Sequence, residues 1–117
     1  MIPIFDSLCH PTLTGKWLGS DLDSTFKKLK KDLKTYGFLG ANAVGIHGVE
    51  GYDHTHFIKE CSKNNSLIPV AGLNVHSKNL KKEINEIKNI GYNAVKIHPR
   101  FNKMHYNDTL ADIFKLC

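Results

Sequence analysis

The sequence lacks several things that would assign it quickly. No apolar run approaches the roughly 20 residues that a membrane-spanning helix needs. The opening "MIPIFDSLCH" has neither the basic segment nor the long apolar stretch of a secretory leader. The expectation is therefore a cytoplasmic protein with no membrane partner. Cysteine is scarce: Cys9, Cys61 and Cys117 are scattered, with no C-x-x-C spacing. An odd count without a leader argues against a disulfide framework and for reduced thiols. Tryptophan occurs once. The net charge of +5 comes largely from "KKLKKDLK" (27–34) and "KNLKKEINEIKN" (78–89), where lysines interleave with Leu and Ile at helical spacing. These runs read as the solvated outer faces of helices. A nucleic-acid surface would want a basic stripe with exposed aromatics on which bases stack; that arrangement is missing, and no nucleic-acid partner is expected.

What is present is an alternation. The chain has 117 residues, 41% of them apolar and 23% charged, which suits one modest globular domain spanning 1–117. "IPIFDSLC" (2–9) reads as a short strand, followed by a loop rich in Thr, Gly and Ser. Leu22, Phe26, Leu29, Leu33 and Tyr36 then recur at helical spacing, with Ser20, Asp21 or Ser24 as candidate caps and Gly37 as the stop. A second strand is expected over 42–48, a helix over 53–65 and a third strand over 66–75, although Pro69 cannot donate to a ladder. A helix over 79–91 carries Leu80, Ile84, Ile87 and Ile90 on one stripe. A strand over 93–98 and a helix from about Asp108 to Cys117 complete the order βαβαβαβα.

Strands alternating with helices imply parallel strands joined by right-handed crossovers. The segments "GANAVGIHG" (40–48) and "GYNAVKIHP" (91–99) repeat G-x-N-A-V-x-I-H at an offset of two βα units. A closed (β/α)8 barrel takes eight such units over about 250 residues. The fold expected is therefore α/β: a (βα)4 segment corresponding to the N-terminal half of a TIM (β/α)8 barrel. Such a segment would need its missing half-barrel, from a longer chain or as a homodimer, because it leaves two strand edges and an inner face uncovered.

Four histidines fall at the carboxyl ends of the four strands: His10, His47, His76 and His98. In parallel βα folds that rim is the active face. Alternation along a strand predicts inward-facing sets of Asp6, Leu8 and His10; Ala43, Gly45 and His47; Gly72, Asn74 and His76; and Ala94, Lys96 and His98. Val44, Ile46, Val95 and Ile97 would then pack against helices. Imidazole is both a common metal ligand and the usual general base, and converging histidines suit Zn, Mn, Fe or Ni. Any one of them alone is better explained as a hydrogen-bonded rim residue; it is the four together that point to a site. Lys96, facing inward, needs a partner, since an unpaired buried charge is costly; a structural ion pair with Asp6 is one solution. Arg100 could hold a substrate carboxylate through its two-pronged guanidinium, or stand solvated in a loop. Glu50 offers an acid or base just after the second strand. "HTH" (54–56) reads as the start of the second helix.

At "IPIFDSLCHPTL" and "GYNAVKIHPRF" the chain resembles the amidohydrolase superfamily of metal-dependent TIM-barrel hydrolases, and within it the branch that also contains decarboxylases. That family opens with I-D-x-H-x-H; here Phe5-Asp6-Ser7-Leu8-Cys9-His10 matches, with Leu8 in place of the first histidine. "NDTLADIFKLC" is similar to the helix after the family's fourth strand. The resemblance implies a hydrolase in which a divalent metal, zinc above all, lowers the pKa of a bound water that attacks a small, possibly acidic substrate. It implies His10 as a metal ligand, Lys96 and His98 as catalytic residues, and His47, His76 and Arg100 as substrate contacts. The family's further ligands lie on later strands, so this chain alone is expected to be inactive. Two other readings stay open. One is a metal-dependent nuclease or phosphoesterase of the TatD type, which "GLNVHS" mildly resembles and the absence of a glutamate on strand four opposes. The other is a non-catalytic half-barrel module or pseudoenzyme.

Overall fold

A computed structural model describes residues 2–105 and 107–117. Four strands alternate with four helices: β1 (Ile4–Cys9), α1 (Phe26–Thr35), β2 (Phe38–Val44), α2 (His54–Ser62), β3 (Leu67–Gly72), α3 (Leu80–Ile90), β4 (Val95–Lys96) and α4 (Asp108–Leu116). The strands are parallel, and their order in the sheet is β1-β2-β3-β4. Neighbours in sequence are neighbours in space, so each crossover steps one strand onward in the same direction. This is the winding of a half-barrel rather than of a doubly wound sheet, which reverses direction part-way.

The helices are delimited by side chains that satisfy their first free amides. Thr25 accepts from Lys28 N, Asp53 from His56 N, Asn79 from Lys82 N and Asn107 from Thr109 N. α1 therefore starts at Phe26, later than its apolar stripe predicted. Leu22 lies outside the helix, 66% exposed, and Tyr36 is its exposed carboxyl cap. Gly37 and Gly91 take left-handed backbone after α1 and α3, as the sequence predicted for both stops. Pro69 sits inside β3 without loss. Ala71 N donates to Ala94 O, just before β4, and Leu73 N, just past β3, to Lys96 O on it, so the odd-numbered amides along β3 point toward β4. Position 69 lies below the first β4 pair, Ala71 with Val95, and no ladder bond is missing.

One face of the sheet packs on the helices. Its cluster joins Ala41 and Ala43 of β2, Leu67 and Ala71 of β3, and Leu73 and Val75 beyond it with Leu33, Phe57, Cys61, Ile84, Ile87 and Ile113 from the helices. Phe57 is 1% exposed; burying such a side chain contributes roughly 1.5–3 kcal/mol. The other face has no helical cover. Ile68 is 51% and Leu8 50% exposed. The radius of gyration of 14.8 Å exceeds the about 13.4 Å typical of a closed domain of this length. The accessible surface of 8021 Å² is roughly 1,600 Å² above that of a compact 13.2 kDa monomer.

Register corrects two of the expected faces. Ala43 pairs with Pro69 and Val44 with Val70, while Val95 pairs with Ala71 and Lys96 with Gly72. Paired residues of a parallel sheet share a face. Ala43 and Gly45 thus belong with Val95 on the helix side, and Val44 and Ile46 belong with Lys96 on the inner side. The two copies of N-A-V-x-I-H are set in the sheet with opposite faces. On β1, Asp6 pairs with Ala41 and Cys9 with Ala43, so three steps of β1 span two of β2. This bulge takes Asp6 out of the parity it was expected to share with His10.

Candidate functional site

β1 ends at Cys9, and the next side chain takes over the ladder. Even-numbered carbonyls of β2 point toward β1, as Asn42 O shows by accepting from Cys9 Sγ at 3.1 Å. Val44 O lies just beyond the last pair, and His10 Nδ1 reaches it at 2.8 Å. A carbonyl only accepts, so Nδ1 carries the proton and Nε2 keeps a bare lone pair. The ring is held from the side by Trp17, stacked at 5.2 Å with an interplanar angle of 16°. Burial holds the His10 pKa below the ordinary imidazole value; the Val44 hydrogen bond opposes this, and the charges of Lys96 and His98 add to it. His10 is thus a neutral imidazole with a free nitrogen, within electrostatic reach of the two β4 residues.

His98 is in the complementary state. Its Nδ1 accepts from Phe101 N at 3.2 Å, so its proton resides on Nε2. One imidazole of the rim offers a lone pair and the other an N–H. Lys96, half-buried between them along the chain, does not form the expected ion pair with Asp6, whose carboxylate instead accepts from Leu8 N at 2.9 Å. Among the described residues no carboxylate lies within ion-pair distance of Lys96 or of the exposed Arg100.

The other two strand-end histidines do not join this group. β2 ends at Val44, so His47 lies in the following turn, on the side of His54, whose pKa its charge helps to lower. His76 Nε2 donates to Asn102 O at 2.5 Å, and Asn102 Nδ2 donates to His47 O at 2.9 Å. Asn102 therefore ties the β4 loop across the ends of β2 and β3, with His47 and His76 as its anchors. Glu50 is exposed in the turn after β2. His54 and His56 form the first turn of α2, where His56 Nδ1 pairs with the capping Asp53 at 2.8 Å. Trp17 and Asn102 were not singled out from the sequence. The lone tryptophan in a Gly- and Thr-rich loop was the only available signal for the first, and nothing local marks the second.

No family model, curated protein or solved structure matches the chain. Among the described residues no group of three or more His, Cys, Asp or Glu side chains is placed to hold a metal ion. Leu8 is apolar where the resemblance expects a donor, and among the described residues it is His10 that presents a free donor nitrogen there. These residues do not amount to a metal centre.

Beneath the rim, burial holds thiols and a phenol in their neutral forms. Burial pushes the thiols of Cys9 and Cys61 up to about 12. Tyr52 Oη accepts from Gly72 N at 2.8 Å and sits 2.9 Å from His54 Nδ1, while Tyr92 donates to His54 O at 2.6 Å. Burial raises the Tyr52 pKa to about 12. This network joins the start of α2 to β3 as a structural brace.

Proposed function

We propose that this chain is the first half of a (β/α)8 barrel of the amidohydrolase type, a cytoplasmic hydrolase of small molecules with its site at the carboxyl rim. The observation that carries the reading is that His10, after β1, presents a bare Nε2 and His98, after β4, presents an Nε2–H, the charge of His98 being felt at His10. In this reading His10 Nε2 removes a proton from water as it attacks a carbonyl carbon. His98 Nε2–H donates to the oxygen on which charge develops, and Lys96 adds a fixed positive charge beside it. The uncovered inner face and the roughly 1,600 Å² of surplus surface support cover by four further βα units, which would also exclude bulk water from the rim. A divalent metal belongs to the proposal only with donors from that cover, because the described residues hold no group of three or more ligands and would contribute His10.

The test is turnover by the protein isolated from its source, after its intact mass has been read. Preferential hydrolysis of an ester or amide, lowered by about 10²-fold or more in His10→Ala, is the expected result. Preference for a phosphodiester would replace this reading with the nuclease one. No turnover from a protein of this chain's mass would favour a non-catalytic module, a reading that Leu8 on the inner face already favours locally.

A further inference from the structure

The positive charge of the rim has no ion-pair partner among the described residues. The ion pairs among the described residues are Lys28 with Asp32, His56 with Asp53, Lys63 with Glu60 and Lys82 with Glu86, all on helices or their caps. Lys96 has none, although it is half-buried on the inner face beside Gly72. Asp6, the partner expected from strand alternation, is turned to the other face by the β1 bulge and engaged by Leu8 N. His98 adds an Nε2–H donor one step up the same face, and Arg100 follows it without a carboxylate partner. A cation that is partly withdrawn from water and unpaired is unfavourable unless an anion reaches it. Lys96 and His98 stand two positions apart at one strand end, a spacing from which an ammonium and an N–H can reach two oxygens of one group.

We propose that this rim is an oxyanion-binding site: it takes the carboxylate or phosphate group of a small ligand between Lys96 Nζ and His98 Nε2–H, with Arg100 on the outer side. The inference rests on and deepens the hydrolase reading: the donors that meet the developing oxyanion there also hold the carboxylate that ester or amide hydrolysis releases, or a tetrahedral phosphate in its place. It concerns binding alone, so it stands or falls separately from turnover.

The experiment titrates the chain with inorganic phosphate and, separately, with acetate at constant ionic strength, following backbone amides by two-dimensional NMR. Saturable shifts confined to the amides of Lys96 to Phe101 are expected in the wild type and in Lys81→Met, which removes an equivalent charge from the outer face of α3. In Lys96→Met the affinity should fall at least tenfold, and Lys96→Gln serves if that variant does not fold. Saturation by acetate alone identifies a carboxylate ligand, by phosphate alone a phosphoryl one, and by both an unselective oxyanion site. Absence of saturation with either ion, shifts spread over the lysines of α1 and α3, or equal affinity in the Lys96 and Lys81 variants would overturn the proposal.

Discussion

The states of individual side chains are set by what burial and one hydrogen bond allow. Cys61 is enclosed, and Cys9 is half-buried with its thiol donating to Asn42 O. With both held up to about 12, neither forms thiolate at pH 8, whereas Cys117 is exposed. A thiol reagent should modify one cysteine in the native protein and three in denaturant, counted by intact mass. Rapid native labelling of Cys61 would mean that the α2–β3 packing described here is not the solution state. His54 carries a pH signature. Burial lowers its pKa and outweighs the raising effect of Glu83 and Asp53. A histidine whose folded pKa lies below its unfolded value takes up protons more readily when unfolded. Its stabilising effect is complete above about pH 6.5 and is lost as pH falls from there toward the folded value. Between pH 7 and 5 the urea midpoint should therefore drop, and it should drop less in His54→Gln.

At the scale of elements, the sheet is spaced by residues without side chains. A Cβ on Gly72 would run into the backbone of Ile46 and His47, where the exit of β2 crosses β3; a Cβ on Gly45 would run into the Tyr52 ring. The obstacle at Gly72 is backbone and cannot rotate away. Gly72→Ala should cost about 1–3 kcal/mol or more, read from urea unfolding. It should also disturb the Asn102 tie between the β4 loop and His47. The short β4, two residues long, shows how much this edge depends on that tie: its loop is held by Asn102 and by the turn in which Asn102 N donates to His98 O.

For the whole molecule, the decisive property is that one face of a four-stranded sheet and two of its edges are open. Phe5, Leu8 and Ile68 on or near that face are exposed, and so is Phe114 of α4 at 71%. Parallel strands with unpaired edges and apolar side chains associate. The isolated chain should therefore self-associate with rising concentration, measured by light scattering after gel filtration. Ile68→Ser together with Leu8→Ser should weaken that association while lowering stability by less than a core change such as Phe57→Ala, for which about 3–5 kcal/mol is expected. A chain that stays monomeric at high concentration, with no change in the double variant, would remove the need for a complementary half.

By itself the sequence determined what is local or periodic. The order βαβαβαβα, the apolar stripe of α3, the stops at Gly37 and Gly91, and the placing of His10 and His98 at strand ends all follow from short-range rules of spacing and capping. Sequence also carried the resemblance on which the hydrolase reading was first framed, though nothing outside the chain adds to it. Only the tertiary structure decided which way each strand faces. Identical N-A-V-x-I-H segments are chemically equivalent as peptides; a one-residue difference in register against β3 turns one over, setting Val44 on the inner face and Val95 on the helix side. The β1 bulge, which separates Asp6 from His10 and leaves Lys96 without its expected partner, is likewise invisible in alternation along a single strand. The proton positions on His10 and His98 depend on Val44 O and Phe101 N. The first is set across 34 residues by the pairing of two strands, and no local pattern encodes such a contact.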